Sequence, residues 1–179
     1  MTDEELMNLV RDDDLRHLGV LFDRYQVKLY NYFAKVSNDR TLSDDLVQVV
    51  FERIIKSRKS YKGTGTFKGW AFRIARNVLL DHYKSAKVKV NINVSVDLLE
   101  MTDHNEATER EIALSNSKKL KIAMNQLKQE HKEILVLTRF QSLNYKEAAV
   151  VIGLTENAVK ARVFRALKSL RELYFNNAS

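Results

Sequence analysis

The chain has no cysteine and no proline, and only five of its 179 residues are glycine. Without cysteine it can form no disulfide bond, thiolate metal site or cysteine nucleophile. With so few residues that break helices, an all-helical fold is the first expectation. No run approaches the ~18 consecutive apolar residues of a membrane-spanning helix, and the amino terminus MTDEELMNLVRDDD is acidic, unlike a secretion signal. We therefore expect a cytoplasmic protein.

The net positive charge of the chain favours an acidic binding partner. The chain has 30 Lys and Arg against 23 Asp and Glu, a formal net charge of +7 and a sequence pI near 9.5. Such a balance is typical of proteins that bind nucleic acid or an anionic membrane. Its four histidines lie on separate segments without the spacing of a metal or acid–base site, and no glycine-rich phosphate loop follows a strand. We expect no catalytic site, no metal site and no cofactor.

Apolar residues recur with helical spacing along most of the chain. The pattern predicts a short acidic helix over Asp3 to Arg11 and a longer one from Leu15 to Val36. Two further helices follow, DDLVQVVFERIIKSRK and FKGWAFRIARNVLLDHYKSAK, and two more lie near 110–126 and 129–140. Ser43 or Thr41 is suited to cap the helix DDLVQVVFERIIKSRK, and Thr66 is suited to cap the helix FKGWAFRIARNVLLDHYKSAK.

Residues 87–108 interrupt this pattern. Their first half has no helical period, and a single strand without a partner would be unstable. Residues 87–112 also carry a net negative charge, whereas both flanking segments are net positive. We interpret 87–108 as a flexible linker between two small helical domains, residues 1–86 and 109–179.

The second domain carries the signals of a helix-turn-helix. Asn144 and Glu147 form a capping box, Gly153 can supply a left-handed turn, and Thr155 can cap the next helix. That helix, within GLTENAVKARVFRALKSLR, has an apolar face and an opposite face rich in cations. The spacing predicts a helix-turn-helix. An ordinary helical hairpin with a solvated basic face is the alternative.

Two separated blocks resemble one known family. The stretches LFDRYQVKLYNYF, SDDLVQVVFERI and FKGWAFRIARNVLLDHYK resemble the amino-terminal domain of extracytoplasmic-function (group 4) sigma factors. The stretch LNYKEAAVVIGLTENAVKARVFRALKSLREL resembles their carboxy-terminal helix-turn-helix domain. The resemblance implies a promoter-specificity subunit without catalysis, whose partners are the large catalytic subunits of core RNA polymerase and promoter DNA. An anti-sigma factor or another recruiting protein is a further candidate partner.

Three positions depart from the family's usual sequence. Val49 stands where the family usually has Glu, Ala148 replaces a usual Ile, and the proline common after Leu127 is missing. These differences leave the predicted fold unchanged.

The helix that starts near Asp44 presents an apolar residue among polar ones on the side opposite its apolar stripe, which is typical of a protein-docking patch. The resemblance implies that this face binds the coiled-coil clamp of the large catalytic subunit. The candidate polymerase-binding residues are Asp45, Gln48, Val49 and Glu52. A solvated helix face with one stray apolar residue is the alternative.

The loop SYKGTGT and the following helix combine cations with aromatic residues, a combination that suits single-stranded DNA. Gly63 and Gly65 would let the backbone approach an extruded base closely, and Trp70 is assigned to the core. The resemblance implies that this region recognises and melts the downstream (minus-10) element. The candidate residues are Tyr61, Lys62, Thr64, Arg73, Arg76, Asn77, Tyr83 and Lys84.

The final helix is the candidate recognition helix for the upstream (minus-35) element. Such a helix presents its first residues to base edges and its later cations to phosphates. The candidate base readers are Asn157, Lys160 and Ala161, and the candidate phosphate contacts are Arg162, Arg165 and Lys168. Asn157 is equally suited to cap the helix locally.

Two other functions compete with this interpretation. A stand-alone helix-turn-helix regulator explains Asn144 to Leu173 but leaves the docking face and the loop-helix region unused. Binding of the basic helix to a membrane surface leaves the turn residues unexplained.

Overall fold

The computed structural model describes residues 1–89 and 109–177, and the side chains of all of these except 88–89 and 109–111. Residues 87–89 of the predicted linker are helical, and the rest of that linker lies outside the described residues. The part that is described contains helices and turns and no strand, so the all-helical prediction is confirmed. Its helices are α1 (Asp3–Arg11), α2 (Leu18–Ser37), α3 (Arg40–Ser57), α4 (Phe67–Lys89), α5 (Glu109–Gln126), α6 (Gln129–Leu135), α7 (Tyr145–Ile152) and α8 (Glu156–Asn176).

Three short helical turns accompany these eight helices in the described ranges. Single 3-10 turns cover Leu15–His17 and Arg58–Ser60. A π-helical turn, Val136–Phe140, extends α6, and the Gln141 amide donates to the Val136 carbonyl oxygen at 2.9 Å, one residue further back than in an α-helix.

Helix α3 begins earlier than the sequence predicted. Asp39 is its N-cap, and its carboxylate accepts a hydrogen bond from the Leu42 amide at 2.9 Å. The prediction of Ser43 or Thr41 as the cap is therefore wrong. Ser43 is instead buried within the first turn, where its hydroxyl donates to the Asp39 carbonyl oxygen. The early start is possible because Asn38, in the left-handed conformation, ends α2 immediately before Asp39.

The first helical unit, α1 to α4, is held together by aromatic side chains. The rings of Tyr25 and Phe67 meet edge to face at 5.0 Å, and those of Phe22 and Phe51 at 4.8 Å. Such pairs contribute roughly 0.5–1.5 kcal/mol each beyond the burial of their surface. Glu4 also fixes the start of α4, because its carboxylate accepts from the Phe67 amide at 2.9 Å. Thr66 caps α4 as predicted, since its hydroxyl accepts from the Gly69 amide at 3.1 Å.

The second unit, α5 to α8, packs three helices against α8. Ile134 of α6 and Val159, Val163 and Ala166 of α8 are buried. The three α8 residues lie one turn apart on a single face, so the opposite face of α8 is left to solvent.

The two units also pack on each other. Helix α4 lies against α7, and α2 lies against α6 and the π-helical turn, so that one apolar cluster runs through both. A polar group bridges them as well: Glu133 of α6 accepts from the Tyr32 hydroxyl and from Arg76 Nε, each at 3.0 Å. The two helical domains were predicted from the sequence, but this packing was not.

Candidate nucleic-acid and protein interfaces

The predicted polymerase-binding face lies on the outer side of α3. Asp45, Gln48 and Glu52 are exposed, and Val49 is half-buried with its side chain against the core. One apolar residue is therefore fixed in place among three solvated polar ones, which is the arrangement of a docking patch with a polar rim.

A groove between α2 and α3 extends this face. It has a volume of about 380 Å³, and Gln48 of α3 forms part of its wall. From α2 the groove is lined by Tyr30 and by Val27, which is 62% exposed. Neither residue belongs to the docking face predicted from the sequence. Val27 is an apolar residue on the side of α2 opposite its apolar stripe. That position is the sequence signal that could have identified it as part of a docking surface.

The loop between α3 and α4 is held at both ends. Before the loop, the Asp13 carboxylate binds two cations: Oδ1 lies 2.8 Å from Arg58 Nη2, and Oδ2 lies 2.6 Å from Lys59 Nζ. After it, the Thr66 hydroxyl donates to Glu147 of α7 at 2.7 Å. The predicted DNA contacts Lys62 and Thr64 are exposed on the loop.

Tyr61 requires a correction. The sequence suggested that its ring would hold an extruded base, but the side chain is only 4% exposed. Its ring packs edge to face on Trp70 at 5.1 Å and lies near Phe67. Burial raises the pKa of its hydroxyl, with smaller effects from nearby charges. Tyr61 therefore supports the loop from beneath, and no base can stack on it in this conformation.

The predicted DNA-binding residues of α4 lie on two adjoining faces. Arg73, Asn77 and Lys84 are exposed on one of them. Arg76 and Tyr83 are turned toward the second unit and are half-buried, and burial together with Glu133 raises the pKa of the Tyr83 hydroxyl. The expectation of one open face that includes Arg76 and Tyr83 is therefore corrected.

The exposed face of α4 continues onto α3 through a second groove. It has a volume of about 260 Å³ and is lined by Asn77 and Ile74 of α4 and by Arg53, Lys56 and Ser57 of α3. The two α3 cations were absent from the predicted site. They belong to the run of basic residues that ends α3, which was the available signal.

The helix-turn-helix has the predicted local geometry. The Asn144 side chain accepts from the Glu147 amide at 2.8 Å, and the Glu147 carboxylate accepts from the Asn144 amide at 2.9 Å. Gly153 has φ of +78° and, with Leu154, donates its amide to the Ala149 carbonyl oxygen. Thr155 caps α8 by accepting from the Ala158 amide at 3.2 Å. The capping and turn predictions are confirmed.

The solvent face of α8 carries most of the predicted upstream-element residues. Asn157, Lys160, Ala161, Arg165 and Lys168 are all exposed. Thr155, and not Asn157, supplies the N-cap of α8, and the side chain of Asn157 is exposed on this face.

Arg162 differs from the other predicted phosphate contacts. Its side chain is 21% exposed and lies 3.7 Å from the Glu130 carboxylate of α6. The exposed face of α8 also carries a large apolar side chain, Phe164, which was not part of the predicted site.

The described residues contain no helix that is both long and apolar enough to cross a membrane. Within the same ranges, no three His, Cys, Asp or Glu side chains are grouped as metal ligands would be.

Comparison with known proteins identifies both units. The family model for sigma-70 region 2 matches residues 21–88, and the model for sigma-70 region 4 matches residues 118–170. The ECF RNA polymerase sigma factor SigM of Bacillus subtilis (strain 168) is 29% identical over 154 residues, which cover 86% of this chain and 93% of SigM. RNA polymerase sigma factor SigZ of the same strain is 28% identical over 153 residues, which cover 86% of this chain and 84% of SigZ.

Solved structures share the fold. CnrH, in complex with the cytosolic domain of CnrY, superposes with a TM-score of 0.74 at 24% identity, over 99% of both chains. RpoE of Bartonella quintana, in complex with the anti-sigma factor NepR, gives a TM-score of 0.68 at 21% identity, over 87% of this chain and 95% of RpoE.

The two sigma-70 regions occur in the family's order and together span about two thirds of the chain. A stand-alone helix-turn-helix regulator is not favoured, because region 2 is present beside region 4 and the curated relatives are sigma factors. This chain belongs to the sigma-70 family as an extracytoplasmic-function sigma factor, an initiation factor that binds core RNA polymerase and promoter DNA.

Proposed function

We propose that this sigma factor divides promoter recognition among three surfaces: α3 docks on core RNA polymerase, the exposed face of α4 with its preceding loop binds the minus-10 strand, and α8 reads the minus-35 element. The observation that carries the proposal is that α3, α4 and α8 each present an exposed polar face, and that the face of α3 differs in charge from the faces of α4 and α8. The α3 face is polar around Val49, whereas the faces of α4 and α8 carry Arg73 and Lys160. We infer that the functional domains are residues 1–86 and 109–179, and that residues 87–108, the first three of which extend α4, connect them.

The polymerase contact is tested by charge reversal on α3. Asp45→Lys combined with Glu52→Lys should abolish co-elution with core RNA polymerase, because both side chains are exposed and a reversed rim disfavours docking. Asp23→Lys with Glu172→Lys is the matched control, since both are exposed acidic residues outside this face and the charge change is equal. Circular dichroism should show unchanged helicity in both variants. Equal co-elution of the two variants would remove α3 from the proposal.

The minus-10 role is tested on the exposed members of the site. Replacing Lys62, Arg73 and Asn77 by Ala should leave binding of the holoenzyme to the duplex promoter largely intact, because α8 still holds the upstream element. Permanganate-reactive melting should be lost, because an unpaired strand needs its own contacts and the variant removes two exposed cations and an amide that could hold its phosphates and bases. A pre-melted template should restore part of the transcription. Normal melting by this variant would mean that the downstream strand is bound elsewhere.

The upstream role separates base contacts from phosphate contacts. Lys160→Ala should change which upstream bases are preferred, because Lys160 lies in the second turn of α8, where a recognition helix meets base edges. Lys168→Ala should weaken binding to all sequences alike and reduce the salt slope by about one. Identical behaviour of the two variants would contradict this assignment.

We further infer that the protein acts in the cytoplasm, where polymerase and promoters meet, and that it catalyses no reaction itself. RpoE, which shares the fold, was solved with an anti-sigma factor, and a protein of that kind is a candidate partner of this chain. Affinity capture from the source bacterium with the intact chain as bait, followed by mass spectrometry, tests for one.

A further inference from the structure

Phe164 occupies an unusual position on α8. Its side chain is 72% exposed, compared with 39% for Leu167 and 59% for Phe175 on the same helix. It belongs neither to the buried cluster nor to the residues packed against that cluster. A single exposed apolar side chain is common on protein surfaces, so exposure alone indicates no function. Its surroundings on the helix are what distinguish it.

Phe164 stands at the centre of the cationic face. At 100° per residue, Lys160 and Lys168 lie about 40° to either side of it, and Ala161 about 60° away. All of these side chains are exposed. Cations on both sides favour a polyanion as the occupant of this face, and the short Ala161 side chain leaves room for a base edge beside the ring. The major groove of a DNA duplex contains an apolar group that such a ring can contact, the C5-methyl group of thymine.

We propose that Phe164 contacts the C5-methyl group of one thymine in the upstream promoter element and thereby adds that base to those read by α8. The proposal rests on the proposed function of α8. Helical rise places Phe164 about 6 Å further along the axis than Lys160. Base pairs are about 3.4 Å apart, so the thymine lies about two steps from the base that Lys160 contacts.

The experiment uses holoenzyme assembled from the full chain and core RNA polymerase. Duplexes with a randomised upstream element in front of a fixed downstream sequence are selected for binding. In the most enriched duplex each upstream thymine is then replaced, one at a time, by deoxyuridine, which lacks only the methyl group. With the wild-type chain, one position should lose affinity about fourfold, the factor expected from burial of one methyl-sized group.

Three variants assign that loss to a side chain. Phe164→Ala should bind more weakly and show no deoxyuridine penalty at the sensitive position, whereas Phe164→Leu, which keeps an apolar contact, should retain part of it. Phe175→Ala is the matched control, because it removes an exposed ring of the same helix about 16 Å further along the axis. It should keep the full penalty.

Each other outcome overturns the proposal in a recognisable way. If no thymine is sensitive, or if Phe164→Ala keeps the penalty, Phe164 does not read the methyl group. If Phe164→Ala loses co-elution with core polymerase while the penalty persists, the ring docks on protein. If the selection enriches no upstream sequence and Lys160→Ala changes nothing, the proposed function of α8 fails as well.

Discussion

Replacement of Glu133 by Ala should destabilise the protein more than any replacement of an exposed carboxylate. Glu133 is 8% exposed, and one oxygen of its carboxylate accepts from both Tyr32 and Arg76. Tyr32 is fully buried, so its hydroxyl would be left without an acceptor, at a cost of about 1–3 kcal/mol. Arg76 keeps a 22% exposed side chain, and water therefore reduces the cost of its unpaired charge to roughly 1–2 kcal/mol, below that of a fully buried ion.

The expected total is a loss of about 2–5 kcal/mol in the free energy of unfolding, measured by urea denaturation with far-ultraviolet circular dichroism. Glu130→Ala is the control, because Glu130 is an exposed residue of the same helix that lies 3.7 Å from Arg162, and it should cost at most about 1 kcal/mol.

A double-mutant cycle isolates the buried hydrogen bond. Tyr32→Phe should cost about 1 kcal/mol in the wild-type chain but should stabilise the Glu133→Ala variant by about 1–3 kcal/mol, because it removes the buried hydroxyl that has lost its acceptor. Additive costs would show that the hydroxyl and the carboxylate do not interact, and a total loss below about 1 kcal/mol for Glu133→Ala would refute the reasoning on burial.

Three further predictions concern titration and backbone geometry. Burial, with contributions from Glu133 and Asp3 respectively, raises the pKa of Tyr32 and of Tyr25, so the stability they contribute is intact below about pH 10 and declines as pH rises further. The urea midpoint should therefore stay level up to about pH 10 and be lower at about pH 11, and an equal fall in Tyr32→Phe would exclude Tyr32 as a cause. Gly153→Ala should cost about 1–2 kcal/mol because φ is +78°, whereas Gly19→Ala should cost nothing, because Gly19 has no positive φ. Neither added Cβ has an atom within 4 Å, so equal effects would contradict the strain argument. Asn144→Ala should cost roughly 0.5–2 kcal/mol through loss of the α7 cap, and unchanged thermal unfolding would contradict that role.

The helix-turn-helix was predictable because its signals are local. The capping box, the turn glycine and the next cap lie within a dozen residues, and each satisfies backbone groups of its own neighbours. The start of α3 was harder to predict, because Asp39, Thr41 and Ser43 are all cap-forming residue types. The choice among them depends on where α2 stops, which the left-handed Asn38 decides.

The contacts of Arg76 and Tyr61 could not be predicted in the same way. Arg76 lies on the polar side of its own helix, and its partner Glu133 is 57 residues away, so only the packing of the two units shows that they meet. Tyr61 belongs to a polar loop in the sequence, but the rings of Phe67 and Trp70 pack against it once α4 has formed. Periodicity describes one helix at a time and contains no information on what covers its far side.

The apolar cluster that continues from the first unit into the second determines how pieces of this chain will behave in isolation. A fragment that ends near Lys89 would present to water the side of α4 that α7 now covers, and a fragment that starts near Glu109 would present the matching side of α7. Exposed apolar patches of this kind promote self-association. Either fragment should therefore be less soluble than the intact chain and bind nonspecifically in interaction screens, and the intact chain is the appropriate bait.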